Sequence, residues 1–280
     1  MSYKTILVYL SDERSAERIL KTASALAARN DAHLIGLHVA PIYHVYSTVA
    51  IDLTAEILDS QSSALKMESE GLKKIFEDMT ENTTATSEWR SIQVNSALVS
   101  EAVINHARCA DLIVVAQPDP GHDDVSVTRI LEQLLVDSGR PVLMIPYIGT
   151  HDEIGKNVTL AWNASRESAR ASSAALPLFK RAEKVTVLWV NPHSEEDDPM
   201  DVPGSEIASS LARHGINVVT DYSTTKLPEV GDELLSRIAD NGADVLVMGA
   251  YGHSRLREFV FGGASRHMLQ HMTIPVLMVH

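Results

Sequence analysis

Three glycines at fixed spacing are the strongest chemical signal in the chain. They lie in Gly249-Ala-Tyr-Gly252-His-Ser-Arg-Leu-Arg-Glu-Phe-Val-Phe-Gly262-Gly263-Ala-Ser265. The apolar run Asp244-Val-Leu-Val-Met248 precedes them and reads as a buried parallel strand; Arg266-His-Met-Leu-Gln-His271 follows and reads as a helix. Glycines thus fall at the carboxyl end of a strand and the amino end of a helix, where an open α/β sheet binds its ligands. Glycine allows close backbone approach and a positive φ. The free N–H groups and dipole of a helix start favour an anion. The chemistry implied is a loop that holds the phosphates of a nucleotide. The same segment carries Arg255, Arg257 and Arg266 against Glu258 alone. Arg255 and Arg257 can neutralise phosphate; solvent exposure or pairing with Glu258 is the competing reading.

The spacing Gly249-x2-Gly252-x9-Gly262 resembles the nucleotide motif of the universal stress protein family, glycine-x2-glycine-x9-glycine-(Ser/Thr). Here Gly263 follows Gly262, and a hydroxyl first appears at Ser265. The resemblance covers nearly the whole chain as two tandem domains. It implies an α/β fold of two doubly wound, Rossmann-like (adenine nucleotide α-hydrolase-like) domains, each with a five-stranded parallel sheet. It implies ATP, with or without Mg, as cofactor. The site residues it carries over are Asn163, Val190, Gly249, Gly252, His253, Arg255, Gly262, Gly263 and Ser265. In the family an acidic residue ending the first strand faces the nucleoside. That place is Ser11 in the first half and Asn163 in the second, and neither is acidic. Asn163 still donates and accepts hydrogen bonds. Backbone near Val190 takes the place that lines the adenine.

The elements that must position this loop are written twice. Tyr3-Lys-Thr-Ile-Leu-Val-Tyr-Leu-Ser11 parallels Gly155-Lys-Asn-Val-Thr-Leu-Ala-Trp-Asn163, and Leu37-His-Val-Ala-Pro41 parallels Leu188-Trp-Val-Asn-Pro192. Ala110-Asp-Leu-Ile-Val-Val115 parallels Ala243-Asp-Val-Leu-Val-Met248, and Pro141-Val-Leu-Met-Ile145 parallels Pro275-Val-Leu-Met-Val279. All four pairs keep their order, which duplication of one domain explains. The expected domains are 1–148 and 154–280, joined through Tyr147-Ile-Gly-Thr-His-Asp-Glu-Ile-Gly155. Each half reads β-α-β-α-β-α-β-α-β. Ala16, Ile19, Leu20, Ala23, Leu26 and Ala27 fall at helical spacing, as do Ala171, Ala174, Ala175 and Leu178. Continuous apolar strands alternating with amphipathic helices predict a parallel sheet covered on both faces. Pro177 predicts a kink or an early helix end.

The first half lacks the glycine loop. Its segment is Ala116-Gln-Pro-Asp119-Pro-Gly-His-Asp123-Asp124. Pro118 and Pro120 remove N–H donors, and three aspartates repel phosphate, so this half is expected to have lost nucleotide binding. It also carries a longer region, Ile42 to Lys74, with apolar Val45, Tyr46, Val49, Ile51, Leu53, Ile57 and Leu58. This is either a long helix with its lead-in or a lid over an apolar pocket. The last strands, Val142–Ile145 and Val276–Val279, are apolar edges that invite pairing. The resemblance implies that they pair within one chain, with homodimerisation of the whole chain a further option.

The 280 residues suffice for two domains and are 45% hydrophobic and 22% charged, as in soluble globular proteins. A net charge of −13 argues against general binding to nucleic acid or anionic membrane. The apolar runs are too short for a membrane span or a signal peptide, so a cytoplasmic location is expected. The single cysteine, Cys109, excludes an intramolecular disulfide and reads as a buried, inert thiol ahead of a strand. His267 and His271 are four apart, which is also zinc spacing. No third ligand accompanies them, so a surface or helix-terminal role is favoured. Ser254, Ser265 and His253 form no recognisable nucleophile arrangement, and Glu195-Glu-Asp-Asp198 reads as a solvated loop. There is no Walker lysine after the glycines and no general base, which argues against an enzyme beyond slow ATP hydrolysis. Three functions remain at this stage. They are a stress-response module regulated by ATP in the second half, an ATP-consuming hydrolase or nucleotidyl transferase, and an interaction protein whose first half binds a hydrophobic ligand.

Overall fold

The computed structural model describes residues 2–42, 55–119, 121, 125–191, 202–224, 230–250 and 263–280. The strands of the first half are β1 (Thr5–Tyr9), β2 (His33–Ile42), β3 (Ser87–Asn95), β4 (Leu112–Ala116) and β5 (Val142–Ile145). Those of the second are β6 (Asn157–Ala161), β7 (Lys184–Val190), β8 (Val218–Ser223), β9 (Val245–Gly249) and β10 (Val276–Val279). The helices are α1 (Glu13–Asn30), α2 (Ala55–Thr80), α3 (Val99–Ala107), α4 (Val125–Asp137), α5 (Arg166–Ala174), α6 (Leu176–Phe179), α7 (Ser205–Arg213), α8 (Val230–Asp240) and α9 (Gly263–His271).

Among the described residues one ten-stranded sheet runs β3-β2-β1-β4-β5-β10-β9-β6-β7-β8. All pairings are parallel except β5 with β10, which is antiparallel with Val276 opposite Met144, Leu277 opposite Leu143 and Met278 opposite Val142. Each half is therefore a five-stranded, doubly wound parallel sheet. The strand order reverses between β1 and β4 in one half and between β6 and β9 in the other.

Side chains alternate along the strands into two apolar layers, and both layers cross the β5–β10 seam. One joins Ile6, Val8, Ile19 and Leu20 to Leu160, Ala171 and Phe179. The other joins Leu7, Val103, Leu134 and Met144 to Leu246, Met268 and Met278. The repeated Ala-Asp pairs explain how strand starts are fixed. Asp111 accepts the backbone N–H groups of Lys4 and Thr5 at 2.8 and 3.0 Å. Asp244 accepts those of Gly155, Lys156 and Asn157 at 2.9, 2.8 and 3.2 Å. The linker is fastened to α1. Thr22 donates to the His151 carbonyl at 2.7 Å, and Lys21 pairs with Asp152 at 2.6 Å.

The halves differ in what covers them. Gly36 in β2 leaves room that the Phe76 ring of α2 fills, since a Cβ there would lie 2.6 Å from it. Phe76 in turn packs on Trp89, with ring centroids 5.5 Å apart. Gly71 lets α2 press on Glu13 at the start of α1. So the long first-half region forms a helix clamped to the sheet from Gly71 onward; Val45, Tyr46, Val49, Ile51 and Leu53 lie outside the described residues. Pro177 acts as anticipated: α5 ends at Ala174, and the proline sits in the first turn of a separate α6, where no N–H is required of it. Cys109 corrects its sequence reading. It is exposed, because it occupies the turn after α3 rather than the strand.

Candidate functional site

The candidate site lies at the carboxyl ends of β6 and β9, where the strand order of the second half reverses. Gly249 is the last residue of β9. A Cβ on it would lie 2.6 Å from the Glu167 carbonyl carbon and the Ser168 nitrogen. Glycine is thus required by space and not by a positive φ, which corrects the conformational half of the expectation. The missing side chain lets the start of α5 close on the end of β9.

That start is a built element. Ser165 is the N-cap, and its Oγ accepts from the Ser168 N–H at 3.2 Å. Glu167 follows in the first turn, only 5% exposed, with its carboxylate held by Arg166 at 2.7 Å. Burial alone would push this carboxyl up. Its own backbone N–H, Arg166 and His280 reverse that and hold it below the ordinary range. Sequence reasoning missed Glu167, although a serine followed by an acidic residue in the next turn is a helix-start signal.

Asn163 lies just beyond β6, exposed, and its Oδ1 accepts from the Ser165 N–H at 3.2 Å. Its acceptor thus shapes the turn, and its amide NH₂ is the group left to present. Next to it Ala164 has φ 56, and Asn191, just after Val190 at the end of β7, has φ 51. Left-handed backbone strains an alanine by about 1 kcal/mol. Such residues gather at binding sites. Among the described non-glycine residues the third of this kind, Asp31, merely ends α1. Val190 is half-buried at the tip of β7.

Gly263 opens α9, with no atom of the described residues within 4 Å of where a Cβ would go, and Ser265 is buried in the first turn at 4% exposure. Ser265 therefore sits inside the helix start rather than on an open surface. Ala250 is fully buried; its N–H donates to the Val279 carbonyl at 2.8 Å and its carbonyl lies 3.2 Å from His280 Nδ1. Gly252, His253, Arg255, Arg257 and Gly262 lie outside the described residues, as do Ser254 and the acidic run 195–198. The structure thus brings Asn163, Val190, Gly249, Gly263 and Ser265 to one end of the second half's sheet.

His267 departs from its surface reading. Its ring fills the space over Gly231 of α8, where a Cβ would lie 2.5 Å from it, and Nε2 is 3.1 Å from Asp232. His271 is exposed, with its ring 4.6 Å from that of His267. Among the described residues no cluster of three metal-ligating side chains occurs. No described helix is long and apolar enough to cross a membrane.

In the first half the corresponding strand end is filled. Gln117 follows β4, is 1% exposed, donates from Nε2 to the Leu269 carbonyl of α9 at 2.9 Å, and accepts the Tyr147 N–H at 3.2 Å. Asp119 turns back to accept the Gly121 N–H at 2.9 Å. Pro120, Asp123 and Asp124 lie outside the described residues.

Two doubly wound parallel halves, each with its strand order reversing at the centre, define a tandem Rossmann-like, adenine nucleotide α-hydrolase-like protein. The chain belongs to the universal stress protein family, whose model matches it twice, over residues 2–146 and 155–280. A universal stress protein, Slr1230, from Synechocystis sp. is 50% identical over 38 residues, 14% of this chain and 13% of that protein. The aligned segment thus spans far less than two thirds of that curated relative. Among solved structures, a universal stress protein from Archaeoglobus fulgidus DSM 4304 matches with a TM-score of 0.69 at 16% identity, covering 98% of this chain and 95% of that one. A functionally unknown protein from Pseudomonas aeruginosa PAO1 matches with a TM-score of 0.63 at 14% identity, covering 99% and 92%. At these identities the structural likeness concerns the fold.

Proposed function

We propose that this chain is a regulatory, ATP-binding universal stress protein whose second half holds the nucleotide and whose first half does not. The observation that carries the reading is the β9–α9 connection. The spacing Gly249-x2-Gly252-x9-Gly262 joins a strand end packed too tightly for any side chain to a helix start at the sheet's reversal point. The backbone N–H groups of the loop and of Gly263, with the hydroxyl of Ser265, would hold phosphate oxygens. His253 and Arg255 would lie along the phosphates. The Asn163 amide would face the nucleoside, and the backbone at Val190 the adenine. ATP, with or without Mg, supplies a polyanion that favours whichever state of the loop binds it better, and it shifts the chain only by that difference. The paired halves make the working unit one chain, in a cytoplasmic setting. Calorimetric titration of ATP into wild type and Gly252→Val tests the reading. Micromolar or tighter binding to the wild type, weakened at least tenfold in the variant, supports it. Equal affinity in the two removes it.

A further inference from the structure

We propose that Gln117 of the first half is a positioning residue for the anion site of the second half, acting through α9; the inference rests on the nucleotide reading above. Gln117 stands at the end of β4, where the other half has Ala250 leading into the glycine loop. Ala250 is buried against its own half, whereas Gln117 at the equivalent place reaches the neighbouring half. The amide is 1% exposed and both of its ends are used. Its orientation follows from its partners: a backbone carbonyl only accepts, so Nε2 faces Leu269, and a backbone N–H only donates, so Oε1 faces Tyr147.

Leu269 lies in the last turn of α9, whose carbonyls have no partner inside the helix. Gln117 supplies one. The other end of α9 is Gly263, the residue that follows the motif's third glycine. A nine-residue helix is about 13 Å long and stiff. A bond that fixes its last turn therefore sets the depth and direction of the N–H groups at its first. Those N–H groups act on an anion only within about one turn, so a small tilt of α9 matters at the phosphate. A charge interaction acts beside the same strut. Burial pushes the Glu132 carboxyl of α4 up, and the charge of Arg266 on α9 opposes this, so the two halves also meet electrostatically along the helix. Met268 and Leu269 sit in an apolar layer shared with Leu131, Leu134 and Leu135 of α4. The half without the glycines thereby serves as the footing of the other half's site.

The test uses the full chain. Gln117→Met keeps length and volume and removes both bonds. It should weaken ATP about tenfold by calorimetry and speed amide exchange in 263–271 of the apo protein more than in α8. Gln117→Glu keeps the acceptor for Tyr147 but, once ionised, has no proton for the Leu269 carbonyl. Its affinity, taken against wild type at the same pH, should recover as the pH falls and the carboxyl becomes a donor again. The Met variant should show no such recovery. Affinities within twofold of wild type in both variants overturn the inference. So does a pH-independent loss shared by both, which marks simple damage, or faster exchange of α9 with ATP binding unchanged. A wild type that binds no ATP fails at the first titration and removes the nucleotide reading itself. The apo exchange measurement then still decides whether Gln117 holds α9.

Discussion

Leu143 of β5 and Leu277 of β10 lie directly opposite each other in the antiparallel pair that joins the halves, and they are the same residue of the duplicated domain. Val142 faces Met278 and Met144 faces Val276, so each partner's equivalent is again a partner. This is the signature of a local twofold axis through the two leucines. Both are fully buried, in the layer that runs under α1 and α5.

The halves should therefore unfold as one cooperative unit. Leu277→Ala should cost about 2–5 kcal/mol, and the loss should be felt on both sides. Trp89 reports on the first half, and Trp162 and Trp189 on the second. In urea, tryptophan fluorescence and circular dichroism of wild type and variant should move through coincident transitions. Two resolved transitions, with only one displaced by the substitution, would contradict a shared core.

Gly249 of the motif and Gly263 just beyond it should respond differently to alanine. At Gly249 the new Cβ would meet the backbone of Glu167 and Ser168 at 2.6 Å, so the start of α5 must move. A loss of about 1–3 kcal/mol is expected, together with weaker ATP binding. At Gly263, in the first turn of α9, the Cβ meets no atom of the described residues within 4 Å. Alanine there should leave stability unchanged or raise it by up to about 1 kcal/mol. Thermal denaturation of the pair checks this, and equal destabilisation would show that β9 is not closed by α5 as described.

Relief of backbone strain gives a separate check on the crevice. Ala164→Gly removes the Cβ penalty at φ 56, which favours the folded state by about 1 kcal/mol, partly offset by the greater freedom of glycine when unfolded. Stability should stay level or rise slightly, whereas Ala164→Val should cost more than the usual surface change. Denaturant midpoints decide between them. A tolerated valine would mean that the turn after β6 adopts an ordinary φ.

The repeats and the apolar runs made the halves readable, because a buried parallel strand needs an uninterrupted apolar stretch and a covering helix needs one apolar face. Pro177 was legible for the same local reason: it has no N–H to give to a helix interior. What the chain did not disclose were matters of three-dimensional neighbourhood. Gly249 looks in sequence like a residue chosen for its φ, and only the approach of Glu167 shows that space decides. Cys109 looks buried because its neighbours are, but one turn of chain carries it to solvent. His267 looks exposed on its own helix, and only Gly231 on another helix reveals the cavity it fills. Gln117 reads as a mere absence of glycine until Leu269 comes within 2.9 Å.

Acid sensitivity should appear on the outer strand of the first half. Hydrogen bonds from Arg90 and then His33, against the opposing effect of burial, lower the Glu88 carboxyl from 4.5 to about 2. Its folded pKa lies below its unfolded one. The contribution is therefore present above about 4.5 and lost as the pH falls towards 2. Glu88 is about half exposed, so the effect is small. Stability of wild type and Glu88→Gln, measured by urea between pH 7 and pH 2, should differ at neutral pH and converge in acid. A gap that widens towards acid would reverse the sign and refute the pairing.

One ATP, and not two, should bind each chain. The phosphate site proposed in the second half depends on backbone N–H groups, on glycines that admit a close approach and on a positive local balance. At the matching place in the first half Pro118 and Pro120 lack the N–H, and Asp119, Asp123 and Asp124 bring negative charge. The described residues there are already committed: Gln117 is bonded at both ends, and the Asp119 carboxylate accepts the Gly121 N–H. A polyphosphate entering this strand end would have to displace satisfied hydrogen bonds and approach carboxylates of like charge, and both steps oppose binding. Saturating calorimetry, with protein concentration fixed by absorbance, should give a stoichiometry of one, and Gly252→Val should weaken that event at least tenfold without uncovering another. A stoichiometry of two in the wild type, or a residual site in Gly252→Val with the original affinity, would mean that the first half had kept a nucleotide site by other means.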